Sequence, residues 1–72
     1  MPFNTEIEKL CALGCNVTIN ADTYFLESLL KFASLSRNAG GILTIKNSEK
    51  LFSSSREKIA AVGKNNVTFD FT

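Results

Sequence analysis

Val17-Thr18-Ile19 returns as Leu43-Thr44-Ile45 and again as Val67-Thr68-Phe69. The copies stand 26 and then 24 residues apart, and each follows a glycine three or four residues upstream: Gly14, Gly40 and Gly63. Periods of this length mark stacked supersecondary units. The unit reads as helix, glycine stop, strand, three times over. Each strand copy alternates apolar and polar residues, the pattern of a strand buried on one face. The repeat specifies an architecture and supplies no chemistry.

Around the first copy, alternation extends the strand over residues 15–20, with Cys15, Val17 and Ile19 inward and Asn16, Thr18 and Asn20 outward. Ahead of it, Thr5-x-x-Glu8 has the capping-box form and Phe3 is placed to staple the first turn. Ile7, Leu10 and Cys11 repeat at helical spacing, which predicts a helix over 5–13 ended by a left-handed Gly14. Asp22 is the expected cap of a second helix running to about Asn38, before Gly40-Gly41. Its inner stripe is Phe25, Leu26, Leu29, Phe32 and Ala33, with Leu30 at one flank. Tyr24 and Leu35 fall outside the stripe as an apolar pair, equally readable as an exposed interface or as covered by a neighbouring helix, and Glu27 and Lys31 are spaced for an i,i+4 ion pair.

The second strand, 42–46, turns Leu43 and Ile45 inward and Thr44 and Lys46 outward. Asn47 or Ser48 then caps a third helix with inner residues Leu51, Phe52, Ser55, Ile59 and Val62, ending at Gly63. Ser53-Ser54-Ser55 would sit mid-helix, where serine is a mediocre former, for no reason visible in the sequence. Lys64-Asn65-Asn66 is turn chemistry. Val67, Phe69 and Phe71 alternate along a last strand.

Two strand–helix–strand crossovers are expected to be right-handed. A parallel sheet covered on both faces would have nearly continuous apolar strands, so alternation requires one bare face. Both crossover helices then share a face, and a common side with a common hand forces the order 1-2-3. The expected fold is therefore α/β: three helix-strand repeats with a three-stranded parallel sheet in order 1-2-3 and helices on one face. It should form a single α/β repeat domain over 1–72. Asn16, Thr18, Asn20, Thr44, Lys46, Asn66, Thr68 and Asp70 would line the open face. This resembles a minimal slice of leucine-rich-repeat architecture, a small solenoid, in shape and period over most of the chain. The family's ladder asparagine is displaced: Asn47 follows Leu43-x-Ile45 one residue early, and Asp22 stands at the matching place after Val17-x-Ile19. The resemblance is to architecture, and function does not travel with architecture.

A chain of 72 residues buries only about 60% of its unfolded surface. A staple or a partner is the usual remedy. Cys11 and Cys15 offer two soft ligands, short of the four of a structural zinc, and the chain has no histidine. They read as two small buried thiols at a helix–strand corner, reduced and metal-free. The absence of histidine excludes Ser-His-Asp and Cys-His catalysis within one chain, and the carboxylates are scattered. No enzymatic activity and no cofactor are expected. The net charge is +1 and the cations never run together, unlike a nucleic-acid footprint. The start shows no signal-peptide pattern. No apolar stretch approaches the ~20 residues of a membrane span. A cytoplasmic, reducing setting is expected, and the initiator Met with an end just after a strand suggests a whole small reading frame. Asn16-Val17-Thr18 and Asn66-Val67-Thr68 match the glycosylation sequon because the strand recurs.

Ligands and anions favour the carboxyl edge of open α/β sheets and helix N-termini. Around Asn20-Ala21-Asp22 and Lys46-Asn47-Ser48, however, there is no Gly-rich loop, and Asp22 would repel phosphate. Capping is the expected role there. The row Thr18, Thr44 and Thr68, with Lys46 beside it, is a candidate recognition strip, though threonine also suits any solvated strand face. The expected function is a small non-enzymatic protein–protein interaction module. It would self-associate as a homodimer through its C-terminal strand, with Val67, Phe69 and Phe71 at the seam and Tyr24 and Leu35 as further interface residues. The alternative is a heteromeric adaptor or inhibitor docking a larger protein through the same uncapped end.

Overall fold

The computed structural model describes residues 4–72; Phe3, and with it the expected staple, lies outside them. The elements are α1 (Asn4–Ala12), β1 (Val17–Asn20), α2 (Leu26–Ala39), β2 (Leu43–Lys46), α3 (Ser53–Gly63) and β3 (Val67–Phe69). Short 3₁₀ turns at Ser48–Lys50 and Lys64–Asn66 lead into α3 and β3. This is a small α/β fold with a three-stranded, all-parallel sheet in the order β1-β2-β3.

Thr18, Thr44 and Thr68 stand in one register row. The rows flanking it, Val17–Leu43–Val67 and Ile19–Ile45–Phe69, face the helices. Leu29, Phe32, Leu43, Ile45 and Ile59 are fully buried, and Ile7, Cys11, Val17, Ile19 and Ala33 close the same core. The helices line up in chain order with α2 in the middle. Gly63, in the last turn of α3, packs against Ala33 of α2, and a side chain there would collide with Val67. Tyr24 meets Phe32 edge-on, ring centroids 5.2 Å apart.

The glycine stop works twice as expected. At α1, Gly14 (φ 82) lets its own N–H reach Cys11 O at 3.1 Å and Cys15 N–H reach Leu10 O at 3.2 Å, a Schellman closure. At α2, Gly40 (φ 84) and Gly41 both donate to Ser36 O. The third stop differs. Gly63 keeps a right-handed backbone, and the positive φ falls on Lys64 (φ 48, ψ −121).

Several local expectations are corrected. Cys15 is exposed, because the Schellman closure holds it outside the strand; only Cys11 is a buried thiol. Asp22 does not cap α2. The helix starts four residues later behind an extended Phe25 (ψ 159), with no side-chain cap. Phe25 is therefore 86% exposed, not part of the stripe. Neither Asn47 nor Ser48 caps α3, since Asn47 is left-handed (φ 58) and the helix waits until after Phe52. Phe52 is 81% exposed. The serine run thus opens α3, where Ser53 Oγ accepts from Arg56 at 3.3 Å. Lys31 reaches across to Glu8 of α1 at 3.2 Å instead of pairing with Glu27. Of the two readings of Tyr24 and Leu35 the structure favours cover: both are half-buried against the core.

Candidate functional site

Three surfaces are built by this topology. The first is the open sheet face. Thr18 and Thr68 are exposed and Thr44 half-buried, with Lys46 beside them, so the polar strip lies where the alternation put it. Asn20 pairs with Lys46 in register, and Asp70 follows β3. The strip holds no cluster with evident chemistry.

The second surface is the outer edge of β3. Asp70 donates its N–H to Ile45 O and accepts from Ser48 N–H, both at 2.9 Å, extending the pairing with β2. Backbone groups alternate along a strand. Val67 and Phe69 therefore turn their N–H and C=O away from β2, along an edge open to pairing. Both side chains are half-buried, and Phe71 beyond them is 56% exposed.

The third surface is the edge where the strands end. In a parallel sheet all three departing segments leave from one side. Each carries an exposed phenylalanine: Phe25 after β1, Phe52 after β2, Phe71 after β3. The segments are tied together. Lys50 bonds Asp22 at 2.7 Å, joining the first two, and this contact raises the Lys50 pKa through its hydrogen bond and charge. Arg56 donates to Ser48 O at 2.8 Å and Leu51 O at 2.7 Å, and its guanidinium stands 5.5 Å above the Phe71 ring. Asp70 is held below the usual carboxylate range by the Thr72 hydroxyl and backbone N–H. Sequence periodicity missed Phe25 and Phe52 as surface residues. They share one local setting: each is the extended residue immediately before its helix.

The cysteines do not form a site. Burial pushes the Cys11 thiol up, while the neighbouring Ser36 hydroxyl, itself fully buried and without a well-formed hydrogen bond, pulls the other way. Buried thiols of this kind are inert. Among the described residues no group of three or more His, Cys, Asp or Glu could hold a metal ion, and no helix is long and apolar enough to cross a membrane. Comparison with protein-family models, with curated proteins and with solved structures finds no match.

Proposed function

We propose that this chain is a small non-enzymatic interaction module that pairs with a second copy of itself through β3. One comparison carries the reading. Within a single register row, Val17 is 9% and Leu43 0% exposed, yet Val67 is only half-buried. The next apolar row repeats this: Ile19 6%, Ile45 0%, Phe69 half-buried. Ile7 and Cys11 of α1 belong to the core cluster beside β1. α2 and α3 both touch β3, yet Val67 and Phe69 stay less covered than their counterparts in β1 and β2. We read the stack as a minimal leucine-rich-repeat-like solenoid, supported by its repeating helix–strand units, whose last unit is left partly bare. Stacks of this kind need a cap to stay soluble. The setting we assign is cytoplasmic, where an exposed free thiol such as Cys15 persists.

A twofold axis pairs identical edge strands antiparallel, and would give a continuous six-stranded sheet. Covering the half-bare rings of Phe69 and Phe71 would contribute a few kcal/mol, at about 25 cal/mol per Å². That is comparable to the whole stability of a domain this small.

The test is the mass by light scattering at about 50 μM, combined with amide hydrogen exchange. A dimer mass, with the outward amides of Val67 and Phe69 protected, is the expected result. Phe71→Asp should then dissociate the dimer and lower the melting temperature. A clean monomer mass with those two amides exchanging freely defeats the homodimer and moves the heteromeric adaptor reading to first place.

A further inference from the structure

We infer that the twofold axis of the β3 seam falls on Thr68, so that the threonine rows of two copies, three residues from each, join into a single row across the open sheet face. This deepens the self-pairing proposed above and rests on it. It names the residues that meet, and it makes the candidate threonine strip a surface to which each copy contributes half.

Backbone alternation limits the registers. Asp70 donates its N–H to Ile45 O, so Thr68, two residues earlier, also turns its backbone toward β2, while Val67 and Phe69 turn theirs outward. An antiparallel twofold pair must set outward residues opposite outward residues, so the axis falls on a residue and not between two. Centred on Thr68, each Val67 lies opposite the partner's Phe69, and both of these pairs exchange their hydrogen bonds from inside β3 (Val67–Phe69). Centred on Val67 or on Phe69, only one opposed pair lies inside β3. The next rung would need Asn65, which belongs to the 3₁₀ turn Lys64–Asn66, or Phe71. Phe71 sits inside the turn that the Asp70 carboxylate closes on the Thr72 N–H at 2.9 Å. Centred on Asp70, the seam needs Phe71 again and sets two carboxylates face to face, which is destabilising.

Side-chain chemistry agrees with the same register. On the helix side it opposes Val67 and Phe69 twice, a β-branched residue against an aromatic one, a favourable kind of cross-strand pair. These two are the only helix-facing residues of β1, β2 and β3 left half-buried. On the open side Thr68 meets the partner's Thr68 in the closer, non-hydrogen-bonded kind of pair, with hydroxyls placed to bond one another. Thr18, Thr44 and Thr68 already share a row, and the pairing carries that row straight on. The two Asp70 carboxylates are then separated by about four residues of strand, roughly 13 Å. Phe71 lies just past the paired residues, where its ring can lean on the partner's Val67.

The test is disulfide trapping in the full chain, with Cys15→Ser removing the exposed native thiol. Thr68→Cys, Asp70→Cys and an equimolar mixture of the two are incubated with oxidised glutathione, and covalent dimers are identified by mass. A non-hydrogen-bonded antiparallel pair holds its Cα atoms about 4.5 Å apart, within disulfide reach. Thr68→Cys alone should therefore link at least about tenfold faster than Asp70→Cys alone. A seam centred on Phe69 would instead link Thr68→Cys to Asp70→Cys in the mixture, and one centred on Asp70 would link Asp70→Cys to itself. Either result overturns the proposal, and so does the absence of a link in every arm. Amide exchange of the wild type gives a second reading that needs no substitution: Val67 and Phe69 protected, Phe71 free. Protection of the Phe71 amide moves the axis off Thr68 and overturns the proposal as well. A wild-type dimer with the wrong link refutes the register alone, whereas a wild-type monomer at about 50 μM refutes the pairing beneath it.

Discussion

Asn16 and Asn66 hold the two ends of one peptide bond. The Asn16 Oδ1 accepts the N–H of Ile42 at 3.1 Å, and the Asn66 Nδ2 donates to the C=O of Gly41 at 2.7 Å. The two asparagines occupy the same place in the first and third units, each just ahead of Val-Thr. From either side they clamp the peptide that leads into the central strand. A buried or half-buried backbone group must find a partner somewhere, and here the outer units provide it for the middle one.

The two ends of the clamp ask for opposite chemistry. Asn66→Asp removes a donor and sets a carboxylate against a carbonyl oxygen, so a loss of about 1–3 kcal/mol is expected. Asn16→Asp keeps its acceptor and should cost less than about 0.5 kcal/mol. Urea unfolding midpoints of the two variants decide; equal losses would show that the donor and acceptor roles are misassigned.

Gly40 and Gly41 should fail for different reasons and by different amounts. Gly40 has a left-handed φ of 84, and a Cβ added there would meet nothing within 4 Å. Alanine at this position costs only the backbone penalty of about 1–2 kcal/mol. At Gly41 a Cβ would sit 2.6 Å from Cys15 O and 2.7 Å from Gly14 C, both backbone atoms that cannot swing aside. Gly41→Ala should therefore lose about 3 kcal/mol or more, enough to leave the domain largely unfolded at 37 °C. Thermal melts in which Gly40→Ala is the worse variant would contradict this packing.

Lys64→Gly should stabilise the protein. Lys64 carries φ 48 and ψ −121, a region that costs a residue with a side chain about 1–3 kcal/mol. Glycine relieves that strain and returns part of the gain through its greater freedom when unfolded. A net gain near 1 kcal/mol would raise the melting temperature by about 4–8 °C. A lower melting temperature in Lys64→Gly would mean the side chain is worth more than its backbone costs.

The two thiols should react in two separate phases. Cys15 is exposed and Cys11 fully buried, so a disulfide-exchange reagent should modify one thiol at once and the second only as fast as the fold opens. Burial raises the Cys11 pKa above its ordinary 9.0, with Cys15 and Glu8 adding to the rise against the Ser36 hydroxyl. The unfolded chain then ionises this thiol first. Its contribution is fully present below about pH 9 and is lost as pH climbs through the raised value. Cys11→Ala should flatten that alkaline decline; two equal, rapid labelling phases in the native protein would refute the assignment.

Much of this architecture was readable because it depends on periodicity. Alternation in three strands specified a one-sided sheet, and the threonines fell into one row. Leu29, Phe32 and Ile59 came from helical spacing alone. The misreadings gather where helices begin. Phe25 and Phe52 continue the 3.6-residue pattern on paper, yet an extended residue at the N-cap swings its side chain out of the stripe. Whether the helix starts before or after such a residue is decided by the loop beneath it: Asp22 is drawn to Lys50 rather than to the helix end, and a left-handed Asn47 redirects the chain. Those are contacts across 28 residues, or single dihedral angles, and neither leaves a periodic trace. Cys15 was misplaced for a related reason, since alternation cannot tell the last residue of a helix closure from the first of a strand.

The order of strands in the sheet is also their order along the chain. A ribosome releases β1 first, then β2, then β3, and each newcomer finds the one neighbour it needs already outside the exit tunnel. β1 waits only for the very next strand, and no strand needs a partner from further along the chain, the delay by which long-range sheets commonly expose themselves to misassembly. The timetable of synthesis and the sequence of assembly coincide in this protein.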